Sequence, residues 1–332
     1  MAFKLNVFDD FHLHGASAPE WDQRYLQVSP GAMQSRLTEA TSGSVHVFRK
    51  WMSERVIQQG CLPAGKICFA VLKRCTTGTP RMQGQELLND RLFILRSGEE
   101  FTIQRPKGME LLAVTFEAED FLRLLDERSW SAQARDLLSG PAFQAPPASL
   151  RRLRRDLLAI LEWPSSAPPS NATSTYDPAA TQVVFEALGE LFGDATGMDQ
   201  TLGRASAAFV VAECHRIVAG SGESPPSIDA LGERLHISRR TIQNSFRQVA
   251  DTTPVHYLRS LRLNVVRSRL ISAQQEELSV SQAAADQGFI HLGHFTERYK
   301  TLFGELPSQT LRERHEPDYA HLWATSRSVE MG

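Results

Sequence analysis

Polar side chains that can recognise DNA bases recur at helical spacing between residues 238 and 247. Arg240 offers parallel donors to guanine, and the amides of Gln243 and Asn244 match adenine. The flanking cations suit either a base or a phosphate. We therefore expect base contacts from Arg240, Gln243 and Asn244, and backbone or mixed contacts from Ser238, Arg239 and Arg247. Taken alone, the segment is also consistent with an ordinary polar helix face.

The elements that must position these side chains are two short helices joined by a turn. Apolar residues recur at helical spacing in both halves of residues 228–249, and Ser238 suits the start of the second helix because its hydroxyl can accept from free amides. The expected inner residues are Ile228, Leu231, Leu235, Ile237, Ile242, Phe246 and Val249. This pattern is typical of a helix-turn-helix unit, whose second helix enters the major groove.

A second unit of the same kind is predicted at residues 279–301. Gly288 suits a turn with positive φ, and small and aromatic residues supply the inner face: Val280, Ala283, Ala284, Phe289, Phe295, Tyr299 and Leu302. We expect base contacts from His294 and Glu297, since glutamate can accept from cytosine. Backbone or mixed contacts are expected from His291, Arg298 and Lys300, with a structural or capping role favoured for His291. Because this face is less basic, a unit that mainly grips the backbone is an equal alternative.

The segment between the units is predicted to be one helix over Pro254–Ser272. An uninterrupted helix of that length spans about 27 Å, which suits two recognition helices separated by about one DNA turn, ~34 Å. The whole chain of 332 residues has a net charge of -2, but Arg234–Ser272 contains eight arginines and one acidic residue, a net +7. Such a patch attracts phosphates.

In this order, these residues resemble the C-terminal DNA-binding domain of the AraC/XylS family over roughly residues 205–314. The resemblance is carried by residues 238–243, Phe246, Thr253-Pro254, Tyr257-Leu258, Arg262-Leu263, Arg267, Ala284, Gly288-Phe289, 291–295, Tyr299-Lys300 and 303–308. Ser238–Phe246, with residues 262–264 and 270–272, looks most similar to ethanolamine-utilisation-type regulators of that family. Two positions depart from the family pattern: Asp251 replaces a usual glycine, and Glu297 a common basic residue.

The resemblance implies a bacterial, cytoplasmic transcription regulator, expected to be an activator. Its expected partners are double-stranded promoter DNA, RNA polymerase and a second copy of the chain in a homodimer. It also implies an N-terminal domain that senses a small molecule, of unknown identity, often on a cupin-like barrel. Control by a protein partner in place of a small molecule is the alternative.

The expected fold class is α+β with two domains, a cupin-like β-barrel with flanking helices followed by an all-α DNA-binding domain. Short apolar runs separated by Gly and Pro predict strands within residues 44–117, and helical patterns follow in 118–192, completing an N-terminal domain of residues 1–200. The DNA-binding domain is expected at 204–315, with units at 228–249 and 279–301, and a tail at 316–332. Helices 148–163 and 179–192 suit either dimer contacts or plain core. An effector pocket inside the β domain is expected near Phe69, Phe93, Phe101 and Phe116, although core packing is favoured for these rings.

Enzymatic function is disfavoured by the residues that are missing. The four cysteines form no Cys-x-x-Cys pair, which argues against zinc and fits a reduced protein. No histidine lies between His46 and His215, so the β region lacks typical metal ligands. Neither a Walker-type glycine loop nor a Gly-x-Ser-x-Gly motif occurs. We expect no catalytic residue, metal or cofactor, and no membrane span, because no run of about 20 apolar residues occurs.

Overall fold

The computed structural model of the protein describes residues 2–127, 132–162, 178–194, 205–273 and 278–313. The described part has a β-rich N-terminal half and an all-α C-terminal half, consistent with the expected α+β class. The predicted tail at 316–332 lies wholly outside the described residues.

Strands of the N-terminal half form two open antiparallel sheets. The strands are Ala2–Phe8 (β1), Arg24–Gln27 (β2), Ser35–Ser42 (β3), Val45–Met52 (β4), Val56–Cys61 (β5), Lys66–Arg74 (β6), Arg81–Met82 (β7), Gln85–Glu86 (β8), Arg91–Arg96 (β9), Glu100–Arg105 (β10), Glu110–Glu117 (β11) and Ala142–Gln144 (β12). The larger sheet has the order β1-β3-β4-β11-β6-β9-β12, and the smaller has β2-β5-β10-β7-β8. Within the described strands neither sheet closes on itself, so the predicted cupin-like barrel is not confirmed. The predicted β region of 44–117 is too short, because β1, β2 and β3 precede it and β12 follows it.

The two faces of the larger sheet contribute to different cores, because successive side chains of a strand point to opposite faces. On β4, Val45 and Val47 join the core under the helices, whereas Phe48 joins the core between the two sheets. The four phenylalanines expected around an internal pocket divide in the same way. Phe93 and Phe101 lie between the sheets, and Phe69 and Phe116 face the helices. The prediction of one pocket lined by all four rings is therefore wrong.

Helices cover the outer face of the larger sheet. The N-terminal helices are Phe11–Ala16 (α1), Ala118–Glu127 (α2), Ala132–Ser139 (α3), Pro147–Leu161 (α4) and Pro178–Asp194 (α5), with a single 3-10 turn at Pro19–Trp21. In α4, Leu150, Leu153, Leu157 and Leu161 are buried and Leu158 is partly buried, and they pack with α5 in the same core. These leucines are core residues, and a dimer formed through α4 and α5 stays a prediction.

The C-terminal half contains the two predicted helix-turn-helix units. Its helices are Ala205–Ala219 (α6), Ile228–Leu235 (α7), Arg239–Ala250 (α8), Pro254–Ser272 (α9), Val280–Ala285 (α10), Leu292–Phe303 (α11) and Pro307–Glu313 (α12). Helices α7 and α8 form the first unit, and α10 and α11 form the second. The connecting helix α9 has 19 residues.

Three residues fix the ends and turns of these helices as their types predict. Ser238 caps α8, its hydroxyl accepting from the Thr241 amide at 3.1 Å. Gly288 has φ +72°, and a Cβ there would lie 2.7 Å from Cδ of Pro225, so both the conformation and the space require glycine. Asp251 ends α8 in the left-handed region at φ 48° and ψ 40°, which Asp tolerates better than most residues.

Helix α9 belongs to the cores of both units. Tyr257, Leu258 and Leu261 pack with Phe246 of α8. Leu263, Val266 and Leu270 instead pack with the aromatic residues of α11. The change between Leu261 and Leu263 follows from the helical repeat, because residues two positions apart lie about 200° apart around the helix axis and so face nearly opposite sides. One helix therefore sets the relative position of the two recognition helices.

Candidate nucleic-acid interface

The outer faces of α8 and α11 present every side chain that the sequence predicts for DNA contact. The exposed set comprises Ser238, Arg239, Arg240, Gln243, Asn244 and Arg247 in the first unit, and His291, His294, Glu297, Arg298 and Lys300 in the second. The opposite face of α8 is closed, with Ile242 and Phe246 fully buried. The residue types of the exposed set match base edges and phosphates.

Several arginines of the basic segment already have acidic partners. Arg267 pairs with Asp10 at 2.8 Å and also with Glu305. Arg269 pairs with Asp286 at 2.6 Å. The net charge counted along the sequence therefore overstates the positive charge that is available to DNA. Arg239 also pairs with Asp229, but this contact is largely exposed and contributes little to stability.

Three other arginines form a basic patch where α9 meets α11. Burial, and then the charge of Arg298, lower the pKa of Arg259. Burial, followed by Arg259 and Arg298, lowers the pKa of Arg262. Arg262 is held in place over the ring of Phe289, with its guanidinium carbon 4.9 Å from the centroid. Like charges that act on one another favour an anion; two of these arginines lie on the connecting helix α9 and the third lies on the recognition helix α11. The sequence count includes Arg259 and Arg262 but does not single them out.

The second unit presents apolar as well as polar atoms. His291 is the first residue before α11, but its side chain makes no capping hydrogen bond, so a capping role is not supported. Gly293 faces open space, with no atom within 4 Å of a Cβ built there. Ile290 is 87 % exposed and Leu292 is 45 % exposed. Apolar side chains at such positions suit contacts with thymine methyl groups. Ile290 and Leu292 are not among the contact residues predicted from the sequence.

The C-terminal end of α8 is held by the smaller sheet of the N-terminal half. An Nη2 donor of Arg55 contacts the carbonyls of Ala250 and Asp251 at 2.7 and 2.6 Å. Cations suit this end of a helix, where unpaired carbonyls carry negative partial charge. Arg81 Nη1 reaches the Arg247 carbonyl at 3.3 Å. The carboxylate of Asp251 also lies 3.3 Å from Arg55, so the residue that departs from the family glycine takes part in this contact.

A groove beside this contact includes part of the predicted DNA-binding face. Asn244 and Arg247 line it together with Gln248 of α8 and with the turn between β7 and β8. Two predicted contact residues therefore lie next to the N-terminal half, and Arg240 and Gln243 lie outside the groove lining. The sequence gives no sign of this contact because the two segments are distant along the chain.

Strand β2 connects the N-terminal half to α9 and α11. The backbone of Gln27 exchanges hydrogen bonds with the Asn264 side chain at 3.1 and 3.2 Å. The side-chain amide of Gln27 also donates from Nε2 to the Leu302 carbonyl at 2.7 Å. Leu26 and Ile57 join the same apolar core as α8 and the first half of α9. The two halves thus share a packed and hydrogen-bonded interface.

Two other kinds of site are absent from the described residues. Within the described ranges, no group of three or more His, Cys, Asp or Glu side chains is arranged to hold a metal ion. No helix among the same residues is both long and apolar enough to cross a membrane.

Residues 231–313 match the family model described as "Helix-turn-helix domain". The XylDLEGF operon transcriptional activator of Pseudomonas putida is 41 % identical over 87 residues, which cover 26 % of this chain and 27 % of that protein. The probable thc operon regulatory protein of Rhodococcus erythropolis is 31 % identical over 90 residues, 27 % of each chain. A crystal structure of an AraC-type transcriptional regulator from Chromobacterium violaceum has 29 % identity and a TM-score of 0.31, covering 34 % of this chain and 98 % of that one.

The family match over residues 231–313 agrees with the geometry of α7–α11, which form a helix-turn-helix domain. The chain spans about a quarter of the length of the curated relatives it matches, 27 % for the first two described. The similarity to ethanolamine-utilisation-type regulators is not shown by these matches and stays a prediction.

Proposed function

We propose that the protein is a transcription regulator that binds double-stranded DNA through α8 and α11 in successive major grooves. The observation that carries this proposal is the exposure of all the predicted contact residues on two recognition helices that share one connecting helix. With 19 residues, α9 is about 28 Å long at 1.5 Å per residue. That length is close to the ~34 Å turn of the duplex that separates adjacent sites on one face.

The base contacts are assigned mainly to the first unit. Arg240 and Gln243 are exposed, lie near the start of α8 and are clear of the groove shared with the N-terminal half. The residues at the start of a recognition helix are those that usually meet base edges. Arg298, together with Arg259 and Arg262, is assigned to phosphates. The second unit, with Gly293 and Glu297 on its outer face, contributes more to placement than to sequence choice.

The test is to find the bound sites by genome-wide mapping and then to measure affinity for one of them. Arg240→Ala and Gln243→Ala should each weaken specific binding by about 1–3 kcal/mol and relax the preference at one base position. Arg298→Ala should weaken binding to all sequences alike and reduce the slope of log K against log salt by about one. Arg216→Ala is the matched control, because this exposed arginine of α6 pairs with Glu213 and belongs to neither recognition helix. Unchanged footprints in both Arg240→Ala and Gln243→Ala would refute the base assignments.

The regulatory setting is part of the same proposal. The protein acts as an activator in the bacterial cytoplasm, as a homodimer that engages RNA polymerase, and a small effector bound by the N-terminal half modulates it. The interface of β2, β5 and the β7–β8 turn with α8, α9 and α11 supports this modulation, because the smaller sheet is in direct contact with the DNA-binding core. Sedimentation of the full chain measures the homodimer, and a monomer at micromolar concentration would contradict it.

A further inference from the structure

The C-terminal ends of both recognition helices are bonded to the N-terminal half. At the end of α8, the carbonyl of Ala250 accepts from Nη2 of Arg55 at 2.7 Å. At the end of α11, the carbonyl of Leu302 accepts from Nε2 of Gln27 at 2.7 Å and from the backbone amide of Gly31 at 3.2 Å. The last four carbonyls of a helix have no partner within that helix. Donors from a distant part of the chain therefore complete both helix ends.

The two donors occupy adjacent positions of one antiparallel strand pair. Gln27 is the last residue of β2 and pairs with Val56, the first residue of β5. Arg55 directly precedes Val56, and its carbonyl accepts from the backbone amide of Val28 at 3.0 Å. The hydrogen bonds between β2 and β5 therefore fix the separation of Gln27 and Arg55. We call these two residues the strand clamp.

Further contacts hold the strand clamp in place. Gln27 is 2 % exposed. The side chain of Arg55 is 25 % exposed and lies 3.3 Å from the carboxylate of Asp251. At the end of α11, a Cβ added to Gly304 would lie 3.2 Å from the backbone nitrogen of Ala32. The chain that follows β2 is therefore packed closely against the second recognition helix, as Arg55 is against the first.

Together with α9, the strand clamp closes a ring of elements. Helix α9 packs into the cores of both units and joins them once. Helices curve gently along their length, so a single connecting helix leaves the second unit some freedom to move relative to the first. The strand clamp joins α8 to α11 a second time, through β5 and β2. This second connection restricts the movement that α9 alone permits.

The DNA-binding faces stay open while the strand clamp is in place. Its donors bond to main-chain carbonyls at the C-terminal ends of α8 and α11, whereas the start of a recognition helix usually meets the base edges. Near those starts, Arg240, Gln243, His294 and Glu297 are all exposed. The clamped arrangement is therefore compatible with bound DNA.

From this arrangement we propose that the strand clamp sets the distance and angle between the two recognition helices, so that the N-terminal half makes the protein selective for the spacing of its two DNA subsites. Gln27 and Arg55 are positioning residues, because they act through α11 and α8. This inference rests on the proposed function, since both helices must enter successive major grooves. One inserted base pair moves a subsite by about 3.4 Å along the duplex and by about 34° around it, which a rigid pair of helices does not follow.

The first arm of the test uses the wild-type full chain and one site found by genome-wide mapping. Footprinting locates its two subsites, and duplexes are then made with one base pair inserted or deleted between them. The affinity should fall at least about tenfold for both duplexes, because the base contacts of one unit are lost. We call this fall the spacing penalty. A change smaller than about threefold for both duplexes would overturn the proposal.

The second arm repeats these measurements with Gln27→Met and Arg55→Met, which remove the donors and keep a long side chain. Each variant should bind the natural site more weakly, because the two helices are no longer held in position before binding. Each should also reduce the spacing penalty to about threefold or less. The double variant should show the same penalty as either single variant, because a clamp released at one end holds neither helix.

Arg49→Met is the matched control for the second arm. Its side chain is 29 % exposed, close to the value for Arg55, and its partners Glu110 and Glu162 belong to the N-terminal half. This variant should keep the spacing penalty of the wild type. An equal loss of the penalty in Arg49→Met and Arg55→Met would overturn the proposal.

The spacing penalty also distinguishes positioning from stability. A variant that only unfolds more readily loses affinity for every duplex by the same factor, so its spacing penalty is unchanged. An unchanged penalty in Gln27→Met and Arg55→Met would therefore overturn the proposal. If Gln27→Met fails to fold because its position is buried, Arg55→Met at its partly exposed position decides alone.

The wild-type measurements separate this inference from the proposed function. A wild-type protein that binds no DNA site specifically refutes the proposed regulatory function. A wild-type protein that footprints both subsites but shows no spacing penalty refutes the inference alone.

Discussion

The ion pair between Asp10 and Arg267 offers a direct measure of how strongly the two halves of the chain hold each other. Asp10 Oδ2 accepts from Arg267 Nε at 2.8 Å, and the two side chains are only 7 % and 17 % exposed. In Asp10→Asn the oxygen that caps α1 can remain, where Oδ1 accepts from the amides of His12 and Leu13 at 2.7 and 3.3 Å. The substitution therefore removes the charge and keeps the cap.

The expected loss follows from burial and from the partners that remain. Breaking a buried pair by removing one partner costs about 3–5 kcal/mol, and a hydrogen bond to a charged group contributes about 1.5–3 kcal/mol. Arg267 keeps Glu305 as a partner, so its charge is not left uncompensated. Burial lowers the pKa of Arg267, but the charges of Asp10, Tyr299 and Glu305 raise it by more than burial lowers it. The pKa of Arg267 therefore lies above its usual range. We expect Asp10→Asn to lower the free energy of unfolding by about 2–3 kcal/mol.

Urea unfolding of the full chain, followed by circular dichroism, measures this loss. Asp22→Asn is the matched control, because Asp22 and Arg24 lie 3.6 Å apart with 73 % and 68 % of their side chains exposed. An exposed pair of this kind contributes about 0–1 kcal/mol. If both variants lose the same stability, or if Asp10→Asn loses less than about 0.5 kcal/mol, the argument from burial is refuted.

Two further predictions concern one turn and one buried amine. Gly288→Ala places a side chain at a left-handed φ of +72° and against the close contact described above, so it should lower the free energy of unfolding by about 2–5 kcal/mol. Gly293→Ala lies in open space within α11 and should instead raise that free energy by about 0.5–1 kcal/mol. Similar urea midpoints for the two variants would contradict this. Burial, and then Arg105, lower the pKa of Lys50 to about 7, so the unfolded chain binds more protons than the folded chain just above that pH. Between pH 7 and 8.5 the unfolding free energy of the wild type should therefore rise relative to that of Lys50→Met, by up to about 1.4 kcal/mol per pH unit. Burial also raises the pKa of Cys68 to about 12, but this thiol is present in both proteins, so its titration cancels in the difference. A flat difference within the window would exclude the lowered pKa of Lys50.

The C-terminal half is predictable from sequence because its signals are local. Ser238 and Gly288 specify a cap and a left-handed turn by residue type alone, and the inner residues of both units recur at helical spacing. Strand β3, which precedes residue 44, lacks such a signal. In β3, Ser35 is as deeply buried as Leu37, because the pairing with β4 fixes its position. A polar residue buried by a neighbouring strand gives no apolar alternation to detect.

The contacts between the halves could not be predicted for a related reason. Gln27 and Leu302 are 275 residues apart, and Arg267 lies 257 residues from Asp10. Along the sequence, Arg267 counts as one more cation for DNA, yet in the structure its charge is used within the protein. The net charge of residues 234–272 does not take account of acidic partners that come close only in the folded protein. It is therefore an upper limit on the positive charge that this segment presents to DNA.

One strand connects the polar residues between the two sheets with the DNA-binding core. On β5, Ile57 packs into the core shared with α8 and α9, and the next residue, Gln58, donates to the oxygen of Gln23, which also accepts from Lys50. Adjacent residues of a strand point to opposite faces, so an effector bound between the sheets and the DNA-binding core would lie on the two sides of a single sheet. Spatial continuity does not by itself establish coupling. Coupling is a free energy shared by two binding equilibria, so any factor by which an effector changes the affinity for DNA must equal the factor by which DNA changes the affinity for that effector.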